Sequence, residues 1–328
     1  MLYFAHRDAF MNPRSFVSAL FLGFVLAAAP VAHAWNDFGH MTVAYVAYRK
    51  LDPAVRAKVD RLLSLNPYYA ARWPQLLPAG TPPADRNAFL FMLAATWPDE
   101  IKRDNQYHND GAGGGDRPIG SEATRNTGYD DFNRHKYWHY IDEPFTTDGS
   151  ALPPIPSPNA GSQITVFRQM LHSAQADELK SYDLVWLLHL VGDIHQPLHA
   201  VSRISKAHPA GDAGGNDVKF CGPAAPQCTG ELHGYWDSIL GTGDDPAAIK
   251  AFAAKLTVPA VSAAGDAHQW IDESSQLAKS KVYTAPVGAG DGPYHATKKY
   301  ADQARRVAQQ RVALAGARLA ALLNAELK

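Results

Sequence analysis

The side chains in this sequence with the means to do chemistry are histidines, and carboxylates spaced four positions from them. Fourteen histidines in 328 residues is about 4%, a high share, and imidazole is the commonest metal ligand. The clearest cluster is His189-Leu-Val-Gly-Asp193-Ile-His195-Gln-Pro-Leu-His199. His189 and Asp193 stand at i and i+4 of an apolar run, so one helix face presents both. An Asp inside such a helix is costly to bury unless it is paired or metal-bound. His233-Gly-Tyr-Trp-Asp237 repeats the spacing. His135-Lys-Tyr-Trp-His139-Tyr-Ile-Asp142, Trp97-Pro-Asp99 and Trp35-Asn-Asp-Phe-Gly-His40 add further donors. Taken singly, each segment also has a plainer structural reading, such as a core histidine satisfied by a buried acid. Together they form a nitrogen and oxygen donor set without thiolate, which suits zinc and excludes a Cys-rich structural zinc site.

Helices must position these donors. Residues 40–50 carry a compact apolar stripe, and Pro53 opens a second helix over 54–65. Further helices are expected at 87–95, 166–180 (amphipathic), 182–195 (apolar throughout and stopped by Pro197), 246–255 and 263–279, with one long helix at 295–327. Residues 218–220 are the one candidate strand. The segments 104–120, 147–162 and 205–230 are rich in Gly, Pro or Asp. They are expected to be loops around a site rim rather than domain boundaries, because candidate ligands fall on both sides of each and one metal site needs them in one rigid body. The fold class is therefore mainly α, a single multi-helix domain with long loops.

Charge is balanced, 31 Lys+Arg against 32 Asp+Glu for a net −1, which excludes a strongly basic nucleic-acid-binding module and an acidic disordered tail. Residues 1–34 read as a secretory signal: Arg14, a short apolar run over 16–29, and Ala32-His33-Ala34 as the cleavage site. Met11 gives a signal of ordinary length and is the expected start. Cleavage after Ala34 leaves a domain of residues 35–328, periplasmic or secreted, with no later stretch apolar and long enough to span a membrane. In an oxidising compartment Cys221 and Cys228 are expected to form a local disulfide, contributing about 2.5 kcal/mol at most. The chain has no N-x-[ST] acceptor, which with its Ala-rich composition points to a bacterial source.

In their order along the chain these segments resemble the zinc-dependent single-strand nuclease and 3′-nucleotidase family, the nucleases S-one and P-one, over essentially all of residues 35–326. The motifs that carry the resemblance are W-x4-H at 35–40, W-x-D at 97–99, H-[FY]-I-D at 139–142, H-x3-D-x5-H with its Q-P-L-H ending at 189–199, and L-H-x3-D at 232–237. The resemblance implies a trinuclear zinc cleft. Asp99, His139, His189 and Asp193 would hold the first zinc, and His199, His233 and Asp237 the second. The α-amine and carbonyl of Trp35, His40 and a bridging Asp193 would hold the third. Departures from the family pattern are Pro98 within W-x-D, Lys102 where many relatives carry Arg, and His195, an extra histidine expected behind the ligands or in a structural role. Lys keeps the charge of Arg but not its bidentate fork. His135 is out of phase with Asp142, so His139 is the preferred ligand.

The resemblance thus implies a secreted, monomeric endonuclease that cleaves single-stranded DNA and RNA to 5′-phosphate products and also removes 3′-phosphates from nucleotides, with no stable protein partner. Asp99 and Asp193 would hold and orient the attacking water with the metals, and Lys102 would offset charge on the phosphoryl oxygens. Tyr140 is placed to stack a base, worth roughly 1–3 kcal/mol, or is an ordinary core aromatic. Asp142 could accept hydrogen bonds from a base edge, or be a structural carboxylate. Gly214-Gly215-Asn216 resembles the family's G-G-N, whose Asn helps hold the nucleotide; a plain turn fits those residues as well. The rival readings are a zinc-dependent phospholipase C, which would carry Glu at the position of Asp237 and lack Q-P-L-H, and a non-catalytic periplasmic zinc-binding protein.

Overall fold

The computed structural model describes residues 35–261 and 265–328. The leader read over 1–34, with its Met11 start and Ala34 cleavage point, lies outside the described residues.

The described chain is mainly helical: α1 (Asp37–Tyr48), α2 (Pro53–Leu63), α3 (Pro67–Ala71), α4 (Pro83–Ala94), α5 (Trp97–Glu100), α6 (Ala160–His172), α7 (Asp177–Asp193), α8 (Pro197–Ala200), α9 (Leu232–Asp237), α10 (Pro246–Ala253), α11 (Ala267–Leu277) and α12 (Lys298–Glu326). Five of them open on proline, whose missing N–H costs nothing in a first turn and whose φ is already helical. The centre is α7, buried without interruption from Ser181 to Asp193, with α1, α2, α6 and α12 packed around it. Helix α1 is likewise buried from Gly39 to Tyr48, which is why its apolar stripe runs all the way round. All seven tryptophans are buried. Trp97 alone meets Tyr68, Tyr107, Tyr129, Tyr182 and Trp186 edge to face, so the W-x-D segment is anchored by its aromatic neighbour. No helix of the described residues is long and apolar enough to cross a membrane.

Two short parallel pairs complete the fold. β1 (Glu143–Thr146) pairs with β2 (Val201–Ile204), Glu143 opposite Val201, and β3 (Phe220–Cys221) pairs with β4 (Tyr294–His295). The first pair matters for the site. The N–H of Ile141 donates to the carbonyl of His199 at 2.8 Å, so the ladder starts where two candidate ligands end. Cys221 and Cys228 form the expected disulfide, with Cα atoms 5.4 Å apart.

The structure departs from the expected elements at several points. The helix expected over 166–180 is two helices. Ser173 leaves the helical region with ψ 176° and its hydroxyl donates to the Met170 carbonyl, closing α6. α7 restarts with Asp177 and Glu178 in its first turn, where the helix dipole favours acids. The last helix starts at Lys298 rather than 295, capped by the Thr297 hydroxyl, because Tyr294 and His295 are in a strand. The strand expected at 218–220 lies at Phe220–Cys221. β1 and β2 have no counterpart among the expected elements: at four residues each they are too short to display alternation.

Candidate metal centre

Six elements bring the candidate donors together. His40 sits in the first turn of α1, Asp99 in the single turn of α5, and His139 just after a 3-10 turn at Lys136–Trp138. His189 and Asp193 lie on α7, His199 on α8, and His233 and Asp237 on α9. All eight side chains are buried. They form three groups able to hold a metal ion: His40, His189 and Asp193; Asp99, His139 and His189; and His199, His233 and Asp237. The two carboxylate oxygens of Asp193 face different groups, Oδ1 lying 3.2 Å from His40 Nε2 and Oδ2 3.1 Å from His139 Nδ1.

The histidines are aimed by backbone carbonyls. Nδ1 of His189 donates to Ala95, that of His199 to His139, and that of His233 to Gly214, at 2.8, 2.6 and 2.8 Å. Each ring therefore turns an Nε2 lone pair inward, an arrangement that commonly orients metal-binding histidines. Nε2 of His199 stands 3.0 Å from Nε2 of His233, and Nε2 of His189 stands 2.9 Å from Nδ1 of His139. Burial pulls His139, His189 and His199 well below the ordinary imidazole range, and in His139 the Lys102 charge adds to this. Burial also pushes Asp193 and Asp237 well above the carboxylate range. Neutral nitrogens facing one another, beside carboxylates too buried to carry charge alone, are a donor set that fits cations between them.

Glycine permits two close approaches. At Gly192 on α7 a Cβ would stand 3.0 Å from His40 Nδ1 and 3.9 Å from Trp35 Cδ1, so its absence lets α1 and Trp35 reach α7. Gly214 has φ +62° and a Cβ there would meet the Leu198 carbonyl at 2.6 Å, so glycine is needed for residue 214 to present its own carbonyl to His233. Trp35 itself is fully buried. The next residue, Asn36, donates its N–H to the Asp237 carbonyl at 3.4 Å, placing the 35–36 segment between α7 and α9.

Lys102 is buried with its ammonium 2.7 Å from Asp99 Oδ1. Tyr140 is half-buried and follows His139 directly. Asp142 has φ +56°, and burial pushes its carboxyl up to about 6, with Arg117 opposing and Asp212 adding to the rise. The Asn216 amide closes its own turn on the Ala213 carbonyl at 2.7 Å. His135 is outside the centre, in keeping with its phase: its ring is held between Asp110 and Asp131 and stacks on Trp138 with centroids 3.5 Å apart. His195 is also outside, its Nδ1 donating to the Val191 carbonyl at 2.7 Å.

One residue of the site is not singled out by the sequence pattern. Gln196, fully buried, donates through Nε2 to Asp237 Oδ1 at 2.6 Å and accepts the Leu198 N–H on Oε1 at 2.6 Å. Its signal is present in Q-P-L-H, but its partner lies 41 residues on and is adjacent only in the fold.

The model of the S1/P1 nuclease family matches residues 35–328, nearly the whole chain. No curated protein matches the sequence.

Proposed function

Because the chain belongs to the S1/P1 nuclease family, and so is a hydrolytic nuclease, we propose that it is a secreted or periplasmic enzyme holding three zinc ions. Its substrates would be single-stranded DNA and RNA, cut to 5′-phosphate products, and 3′-nucleotides. The observation that carries the metal assignment is the inward-facing pair of His199 and His233, whose Nε2 atoms meet at 3.0 Å while their Nδ1 atoms are held by carbonyls. Nitrogen and carboxylate donors without thiolate favour zinc, in sites that keep positions open.

Asp99, His139, His189 and Asp193 would hold one zinc, and His199, His233 and Asp237 another. Trp35 (through a free amine and its carbonyl), His40 and Asp193 would hold the third. The division of the Asp193 oxygens between His40 and His139 supports its bridging role. Zinc held there would supply Lewis acidity and lower the pKa of water towards neutrality. The residues do the rest. Asp99 orients the attacking water, and Lys102 beside it offsets the growing charge on phosphoryl oxygens. Tyr140 stacks a base, Asp142 accepts from a base edge, and Asn216 steadies the nucleotide. Donors as buried as these require the phosphate to come close, which an extended single strand does more readily than a duplex.

The test is release of acid-soluble nucleotides from heat-denatured and from native DNA, with and without a chelator, alongside a phosphatidylcholine assay and a zinc count. Chelator-sensitive hydrolysis of denatured DNA with close to three zincs is the expected result. Hydrolysis of phosphatidylcholine in place of DNA would move the assignment to a phospholipase, and a zinc count near one would remove the trinuclear reading.

A further inference from the structure

His195 fits no metal group, yet it lies between Asp193 of one group and Gln196, which holds Asp237 of another. The chain turns a corner here. α7 ends at Asp193 and α8 starts at Pro197, so the orientation of residues 194–196 sets how the two groups face each other. A helix end leaves carbonyls without partners, and two buried side chains take these. The Ser274 hydroxyl on α11 donates to the Ile194 carbonyl at 2.5 Å, and Arg311 Nε on α12 donates to the His195 carbonyl at 3.1 Å. Arg311 Nη2 also donates to Ser274 Oγ at 2.8 Å, which joins the two contacts into one clamp. Glu273 binds both Arg311 and Arg318, and Arg318 Nη1 lies 3.0 Å from His195 Nε2. Ser274 and His195 are fully buried and Arg311 is buried with them. A cation at a helix C-terminus is also favoured by the dipole.

We propose that Arg311 and Ser274 are positioning residues for the metal centre: by fixing the Ile194 and His195 carbonyls they set the spacing between the Asp193 groups and the His199, His233 and Asp237 group. This rests on the metal-centre reading above. Neither residue touches a ligand side chain. Their effect runs through the backbone of the corner to Gln196, which holds Asp237, and to His199.

The test measures zinc affinity by competition with a chromophoric chelator, in wild type, Ser274→Ala and Arg311→Lys. Arg311→Lys keeps the charge and removes the fork, and Ser274→Ala removes one hydroxyl, so both avoid the larger disruption of an apolar substitution. Arg168→Met is the control, because Arg168 ties α6 to the end of α12 through Glu326, away from the corner. Residues bonded directly to metal ligands change affinity by about 10–100-fold; acting one step further back, these variants should weaken one zinc by about tenfold, with the metal-free melting temperature serving as the fold check. In a His199→Ala background, where that zinc is already loosened, Ser274→Ala should add nothing. Unchanged zinc affinity overturns the inference. So does an equal loss in the His199→Ala background, or an equal loss in Arg168→Met at the same melting temperature. A wild-type chain that binds no zinc overturns the metal-centre reading and this inference with it.

Discussion

Replacing Gln196 by Glu changes one donor group into an acceptor at nearly constant volume. The amide nitrogen that meets Asp237 Oδ1 at 2.6 Å becomes a carboxylate oxygen, while the other oxygen can still accept the Leu198 N–H. The start of α8 should therefore survive, and the damage should fall on Asp237. A hydrogen bond to a charged group is worth about 1.5–3 kcal/mol. At about 1.36 kcal/mol per tenfold, that corresponds to roughly a 10–100-fold loss in how firmly Asp237 is held, the range found for partners of metal ligands. Two carboxylates at this separation cannot both ionise, so they must share a proton or move apart. The expected result is loss of about one zinc under a buffered zinc supply, a fall in turnover on denatured DNA of about 10–100-fold, and a melting temperature in chelator close to wild type. Full zinc content with turnover within about twofold of wild type would refute the reasoning, since Asp237 would then not depend on Gln196.

Asp193→Asn should cost more zinc and more turnover than His199→Ala, because one carboxylate serves two groups; near-wild-type metal content in Asp193→Asn would end the bridging assignment. In a chain prepared to begin at Trp35, as the proposed processing would leave it, one extra residue before Trp35 would turn the amine into an amide and should lower turnover by orders of magnitude while two zincs stay bound and the melting temperature holds; equal turnover of the two forms would make Trp35 only a well-packed aromatic. Asp183, with Oδ1 on Asn126 and Oδ2 lacking a hydrogen-bond partner among the described residues, is pushed by burial from 3.8 up to about 8. The folded state thus keeps a proton that the unfolded state gives up above about pH 4, so this group erodes stability as pH rises towards 8. The melting-temperature advantage of Asp183→Asn should widen from about pH 4 to about pH 8, and a constant difference would show that Asp183 does not titrate across folding.

The donor types and their local spacing are legible in the sequence because they depend on one helix at a time. His189 with Asp193, and His233 with Asp237, lie i, i+4 on faces that 3.6-residue periodicity determines without reference to anything else. The apolar runs of α1 and α7 announce buried helices for the same reason, and Cys221 and Cys228 are close enough in the chain for a local bridge. What the tertiary structure decided is everything that depends on backbone from elsewhere in the chain. The four-residue strands β1 and β2 have no pattern of their own and exist because pairing satisfies their backbone groups; that pairing brings His139 and His199 side by side. Gln196 becomes the holder of Asp237, and the carbonyls of Ala95, His139 and Gly214 choose the tautomers of three histidines, only once helices distant in sequence are packed. A periodic pattern determines which face of a helix is buried. It carries no information about which carbonyl from another element that face will meet, because hydrogen bonds between distant segments follow from packing geometry, not from residue type.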